Sequence, residues 1–266
     1  MMVVDTHLHW YLGKETHDPE TLVNSGVLNR VWMLSGNAIV AGQATDEDVL
    51  GLHRKHPDFF VPFAWLEFEK GPQIVDDFHA RGFKGLKAQF PAHPYDNESY
   101  FPFYERAERY GMPIVFHTGG SLQWPFDFLP LGEGHPERTT AKHMTPTSLD
   151  LVAKTFRGLK IIAAHMGGWR ETYSEGLTLL RNNPNCYLDN SACHPDMLRD
   201  ALKVMKPTRF LNGSDGSFPQ AVERAVFFQG YFKYVIGDVK AGELVLGINA
   251  ERLLAEAQAH ASSAPK

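Results

Sequence analysis

Asp5, His7 and His9 stand at alternate positions in the N-terminal segment VVDTHLHW. Strand residues two apart face the same way, so this spacing sets one carboxylate and two imidazoles on one side, with Thr6 and Leu8 on the other. The pattern is either a polar stripe on an edge strand or the first part of a metal site. Polar residues that follow short apolar runs further along favour the second reading: Lys87 and Gln89 in GLKAQF, His117 in PIVFH, His165 in KIIAAH, Asp189 or Asn190 after CYLD, and Asp215 in NGSD. Imidazole and carboxylate donors bind a divalent ion at about 2.0–2.2 Å, and a catalytic site keeps one position open. His7, His9, His117 and Asp215 would supply three nitrogens and one oxygen, leaving His165 as a fifth ligand or an unligated acid/base. This donor set points to one divalent ion, zinc first and manganese or another transition metal next, whereas calcium and magnesium prefer oxygen.

These residues converge only if the elements carrying them do. Short apolar runs at 3–7, 30–34, 59–66, 85–90, 113–117, 160–165, 186–189 and 210–214 read as eight strands. Amphipathic segments at 46–55, 74–81, 101–110, 149–156, 174–181, 196–205 and 220–232 read as helices, and a last helix is expected to start near Asn249 as its cap. The stretch 13–28 marks its helix poorly. Alternating strands and helices of this number predict a (β/α)8 TIM barrel, whose active site is built at the C-terminal ends of its strands. The expected domain covers 1–256, with a flexible tail at 257–266. The long connection 119–146 carries Trp124, Phe126, Phe128, His135 and His143, and connections of that length are often lids or binding loops.

Composition narrows the partners. Hydrophobic residues make up 43% of the chain and charged residues 21%, which is the balance of a folded globular protein. The net charge of -5 contains no basic block, so nucleic acid is not expected as a partner. No apolar run is long enough to span a membrane and no secretory leader is evident, so the expected location is the cytoplasm. Cys186 and Cys193 read as reduced thiols. Neither a glycine-rich dinucleotide fingerprint nor a P-loop is present. Phe227, Phe228, Tyr231 and Phe232 could cover a subunit surface in a homo-oligomer or pack against the barrel.

VVDTHLH, IVFHTG, IIAAHMGG, NGSD and LGINAERLL together resemble the amidohydrolase-related family of the amidohydrolase superfamily. This is the branch that includes aminocarboxymuconate-semialdehyde decarboxylase, several aromatic acid decarboxylases and lactone hydrolases. The resemblance runs from about Val3 to Leu254. It implies a distorted (β/α)8 barrel with one catalytic metal at His7, His9, His117 and Asp215, and a substrate-polarising or proton-moving role for His165.

Lys87 has three readings: a carboxylated bridge between two metals, a cation for a substrate carboxylate or carbonyl, or a structural ion pair. Trp10, His93, Tyr95, Trp124 and Trp169 are expected to line an apolar pocket for a planar or cyclic small molecule, or else to pin loops to the barrel. Asp5 is expected either to orient a ligand histidine or to support the barrel base. The first functional reading is a metal-dependent hydrolase of a lactone, ester or amide, in which Asp215 takes a proton from water and His165 steadies the oxyanion. The alternative is a metal-dependent decarboxylase of an unsaturated or aromatic acid. A third is a non-enzymatic binding barrel.

Overall fold

A computed structural model of the chain describes residues 1–36, 40, 42–119 and 141–263. Eight parallel strands pair in sequence order: β1 (Val4–His9), β2 (Arg30–Leu34), β3 (Phe60–Trp65), β4 (Gly85–Ala88), β5 (Ile114–Phe116), β6 (Ile161–Ala163), β7 (Cys186–Asp189) and β8 (Phe210–Leu211). β8 is short, and the barrel closes through the segment that follows it. The Thr6 N–H donates to the Asn212 carbonyl at 2.8 Å, and the Asp215 N–H donates to the His7 carbonyl at 2.8 Å.

The helices are α1 (Pro19–Val23), α2 (Asp46–Lys55), α3 (Gln73–Arg81), α4 (Phe101–Arg109), α5 (Ser148–Thr155), α6 (His165–Asn182), α7 (Pro195–Leu202), α8 (Phe218–Tyr231), α9 (Val239–Glu243) and α10 (Asn249–Ser263). α2 starts where expected because Thr45 and Asp48 form a capping box on the first turn. α1 is weakly marked in the sequence because it is only five residues long, capped by Asp18 and started by Pro19. Asn249 does not act as a cap. Its side chain donates to the carbonyls of Pro207 and Phe210, and a wide helical turn over Leu244–Ile248 leads directly into α10. α10 continues through residues expected as tail, since Ala257 packs into the interior.

Alternation along the strands divides the core into two. Val31, Met33, Ile161, Ala163, Leu86 and Ala88 face the helices, whereas Trp32, Leu34, Ile162 and Val115 fill the barrel interior, closed below by Ala250, Leu253 and Leu254 of α10. Trp32 stacks on Phe63 at 4.7 Å between centroids. Gly85 makes room for that pair, because a Cβ there would lie 2.1 Å from Phe63 Cε1.

β1 breaks the alternation. Val4 belongs to the inner cluster and Leu8 to the outer one, and the register with β2 shifts between Asp5 and Leu8. This bulge reverses the parity of the strand, so His7 and His9 turn to the same side as Val4 and enter the barrel. In a regular strand the two histidines would face the helices.

Phe228, Tyr231 and Phe232 are buried against the barrel, and Phe227 is half exposed. Both cysteines are free and buried. No helix among the described residues is long and apolar enough to cross a membrane.

Candidate metal centre

The strand-end residues singled out above are buried or partly buried, and the closest group is His7, His165 and Asp215. One donor atom from each lies within 4.8 Å of the others, with both histidines buried and Asp215 partly so. His7 Nε2 stands 3.8 Å from Asp215 Oδ1, and His165 Nε2 stands 3.9 Å from Asp215 Oδ2. His9 Nε2 borders the group at 3.9 Å from Asp215 Oδ1. His117 joins through His165, with its Nδ1 at 3.2 Å from His165 Nε2. The bulge in β1 supplies the first two imidazoles, the end of β5 supplies His117, and the strand-to-helix junction after β6 supplies His165.

That junction is strained. His165, Met166, Gly167, Gly168 and Trp169 all have positive φ, from 52° at Trp169 to 104° at Gly168, so the IIAAHMGG segment makes a left-handed turn before the regular part of α6 begins. Three of these residues carry side chains, and each costs roughly 1–3 kcal/mol in this region. The turn lays Trp169 flat on His165, with centroids 4.4 Å apart and planes at 6°. A Cβ on Gly168 would fall 2.1 Å from Thr172 Oγ1 and 2.5 Å from Gly119 Cα. Gly168→Ala is therefore expected to destabilise the fold by roughly 2–4 kcal/mol. Urea unfolding measures this, and a loss below about 0.5 kcal/mol would contradict the conformation.

Asp189, expected as one of the strand-end polar residues, and Ser191, not among the expected site residues, do much of the orienting. Asp189 Oδ2 accepts from His7 Nδ1 at 3.0 Å. Asp189 Oδ1 accepts from the backbone N–H groups of His165 (3.1 Å) and Ser191 (2.9 Å) and from the Ser191 hydroxyl. The sequence signal was the Asp-Asn-Ser run closing an apolar strand. Asp5 instead serves the barrel closure, accepting from the backbone N–H groups of His7 (3.0 Å) and Ser214 (3.1 Å).

Lys87 is fully buried and donates from Nζ to His7 Nε2 at 3.0 Å. Burial lowers its pKa to about 8, against the opposing fields of Asp215 and Asp189, so the amine is mostly charged at neutral pH. Burial would raise the Asp215 carboxyl, but His7, His165, His9 and Lys87 hold it below its ordinary value. Asp189 is likewise held well below the carboxylate range by His7, His165 and Ser191 despite its burial.

Aromatic rings wall the group. Trp169 covers His165; Trp65 lies 6.4 Å from His9, and Phe90 lies 6.4 Å from His117, centroid to centroid. In the sequence Trp65 and Phe90 read only as strand residues, because apolar side chains do not distinguish a site wall from core. Tyr95 is wholly buried, and its hydroxyl reaches the carbonyls of Ala88 and His117, so it braces the ends of β4 and β5. His93 is exposed beside Tyr100, and Trp10 is partly buried against the core. Trp124, Phe126, Phe128 and His135 lie outside the described residues, and His143 Nδ1 donates to the Pro91 carbonyl at 3.2 Å.

The buried imidazoles make stability pH-dependent in the metal-free protein. Burial lowers His9 to about 3, His165 to about 4 and His117 well below the ordinary 6.5. These rings are neutral in the fold and take up protons on unfolding, so stability falls as pH drops below 6.5. Asp5, pushed up to about 6 by burial, acts in the opposite direction between 3.8 and 6. The net is about two protons, which corresponds to roughly 2–3 kcal/mol lost between pH 6 and 5. Urea titrations with chelator at pH 7, 6 and 5 check this, and a flat profile would contradict it.

The fold agrees with comparisons to known proteins. An uncharacterised TIM-barrel protein from Bordetella bronchiseptica is 19% identical over 97% of this chain and 99% of its own, with a TM-score of 0.76. A 5-carboxyvanillate decarboxylase from Novosphingobium aromaticivorans, complexed with manganese and 4-hydroxy-3-methoxy-5-nitrobenzoic acid, is 12% identical over 96% of each chain, with a TM-score of 0.67. A probable 2-pyrone-4,6-dicarboxylic acid hydrolase from Acinetobacter baumannii, with citric acid bound, is 13% identical over 96% of this chain and 100% of its own, with a TM-score of 0.62. No curated protein matches the sequence. The family model described as amidohydrolase matches residues 4–255. The chain belongs to the amidohydrolase family, and its His/His/Asp cluster is that of a metal-dependent enzyme.

Proposed function

We propose that this protein is a metal-dependent decarboxylase of a small unsaturated or aromatic carboxylic acid, in the branch of the family that includes aminocarboxymuconate-semialdehyde decarboxylase. One observation carries the reading: a buried lysine cation opens onto imidazoles walled by Trp65, Phe90 and Trp169, a setting for a flat anion. The names of the structural neighbours support it, since more of them are decarboxylases than hydrolases. This favours the alternative over the hydrolase expected first.

The donor set fits a divalent ion. Two imidazoles and a carboxylate converge, and His117 Nε2 and His9 Nδ1 are buried polar atoms without a hydrogen-bond partner among the described residues. His7, Asp215 and His165 would hold the ion, with His9 and His117 beside them; zinc is the first choice, and manganese, named with two structures of a neighbouring decarboxylase, is the second. When bound, it supplies Lewis acidity to an oxygen of the substrate.

The chain's own groups do the rest. Lys87 pairs with a substrate carboxylate, and Trp169 and Phe90 hold the flat body of the molecule. Asp215, ionised at rest, accepts a proton from an acidic group of the substrate or from solvent and returns it to the carbon bearing the departing carboxylate. The electrons of the broken C–C bond then restore conjugation as carbon dioxide leaves. His165 would help hold the ion rather than donate to the substrate, because its one N–H is turned to Ser191 and its Nε2 stands 3.9 Å from Asp215.

Lactone or ester hydrolysis remains a second reading because an ionised Asp215 beside the cluster is also what a water-activating base requires. Metal-loaded protein offered hydroxybenzoates, unsaturated dicarboxylates and lactones in 18O-labelled water separates the two. Carbon dioxide release without 18O in the product supports decarboxylation, and 18O incorporation without carbon dioxide contradicts it.

A further inference from the structure

We infer that Asp189 and Ser191 are positioning residues that lock His7, His165 and, through His165, His117 into one common tautomer, with the proton on Nδ1 and the lone pair on Nε2. This rests on reading the cluster as a metal site, but the tautomers follow from the hydrogen bonds alone.

Asp189 Oδ1 already accepts from two backbone N–H groups and the Ser191 hydroxyl, as a carboxylate does, so the contact between its Oδ2 and His7 Nδ1 places a proton on that nitrogen. His7 Nε2 is then an acceptor, in agreement with the Lys87 amine that donates to it. The Ser191 hydroxyl gives its one proton to Asp189 Oδ1, which is its closest and charge-assisted partner. Its oxygen can therefore only accept from His165 Nδ1, 3.0 Å away. The Ser191 carbonyl, which has no proton to give, also faces His165 Nδ1 at 3.2 Å. Both contacts place the His165 proton on Nδ1, leaving Nε2 as an acceptor. His117 Nδ1, 3.2 Å from that Nε2, must then be the donor. The remaining nitrogen, His117 Nε2, becomes a buried acceptor without a partner among the described residues. One carboxylate and one serine thus fix which nitrogen of three rings is the acceptor, and two of these, His7 Nε2 and His165 Nε2, stand 3.8 and 3.9 Å from Asp215. Orienting partners of this kind typically matter 10- to 100-fold in metal affinity.

Asp189→Asn tests the chain of bonds. Three donors still hold an oxygen at the Oδ1 position, so the new amide NH2 must face His7 Nδ1, donor against donor. His7 is expected to move its proton to Nε2, and divalent-ion affinity measured by chelator competition is expected to fall by about 10- to 100-fold. Two-bond 1H–15N spectra of metal-free protein labelled at histidine read the tautomers directly, with assignments from His165→Gln and His117→Gln. Wild-type protein is expected to show pyrrole-like Nδ1 and pyridine-like Nε2 for all three rings, a result that does not depend on the variant folding. A wild-type His7 or His165 protonated on Nε2 would overturn the inference, as would a folded Asp189→Asn protein with unchanged tautomers and affinity. The expected spectrum in a protein that binds no divalent ion would uphold the tautomer assignment and remove the metal reading. Tight ion binding by a protein whose His165 carries its proton on Nε2 would do the reverse.

Discussion

Asp215→Asn is expected to lower kcat by roughly 10²- to 10⁴-fold, the range a positioned acid/base group contributes, while leaving the fold intact. Asp215 has φ of 52°, a left-handed conformation that asparagine tolerates as readily as aspartate. The backbone bond from its N–H to the His7 carbonyl also does not depend on the side chain. What the substitution removes is the negative charge between His7, His9 and His165, and with it both the proposed ion ligand and the proposed proton carrier. Steady-state kinetics with the metal-loaded variant, alongside its unfolding midpoint, measure the effect. Activity within about threefold of wild type would exclude Asp215 from proton transfer.

Lys87→Met is expected to weaken carboxylated substrates by about 10- to 100-fold, corresponding to the 1.5–3 kcal/mol of a hydrogen bond to a charged group. An uncharged analogue of the same ring should lose little. Folding stability should hold or rise, because Lys87 pairs with the His7 imidazole rather than with a carboxylate. Its removal takes a favourable field from Asp215 and Asp189, but Asp189 keeps His7, the Ser191 hydroxyl and two backbone N–H groups as partners, and the methionine refills most of the volume. Burial already penalises the charged amine, as its lowered pKa of about 8 indicates. Binding titrations with a benzoate and the matching benzamide separate the outcomes. Equal losses for both would show that the lysine shapes the site without reading charge.

The barrel was legible because its strands are short apolar runs with polar residues at their C-terminal ends. Arg30–Leu34, Cys186–Asp189 and Asp46–Lys55 fall where pattern and capping place them. His7, His117, His165 and Asp215 stood out for the same reason, as polar groups at the ends of otherwise apolar strands. Other features depend on geometry that alternation does not encode. Simple alternation grouped Asp5 with His7 and His9, yet the bulge turns the histidines inward while Asp5 binds backbone N–H groups. HMGG signals a turn through its paired glycines, but not that His165 and Met166 would share the left-handed backbone. Asp189 and Ser191 act from behind the imidazoles, where a strand-end carboxylate and a loop serine look ordinary. Trp65 and Phe90 appear as site walls only once the barrel brings them beside His9 and His117.

The central claim is that these side chains hold one divalent ion. Protein purified without chelator, then titrated with zinc and with manganese, should carry close to one ion per chain by plasma mass spectrometry, and His7→Ala and Asp215→Ala should each lose it. A folded wild-type protein that takes up neither ion, or variants that keep the ion in full, would contradict the account.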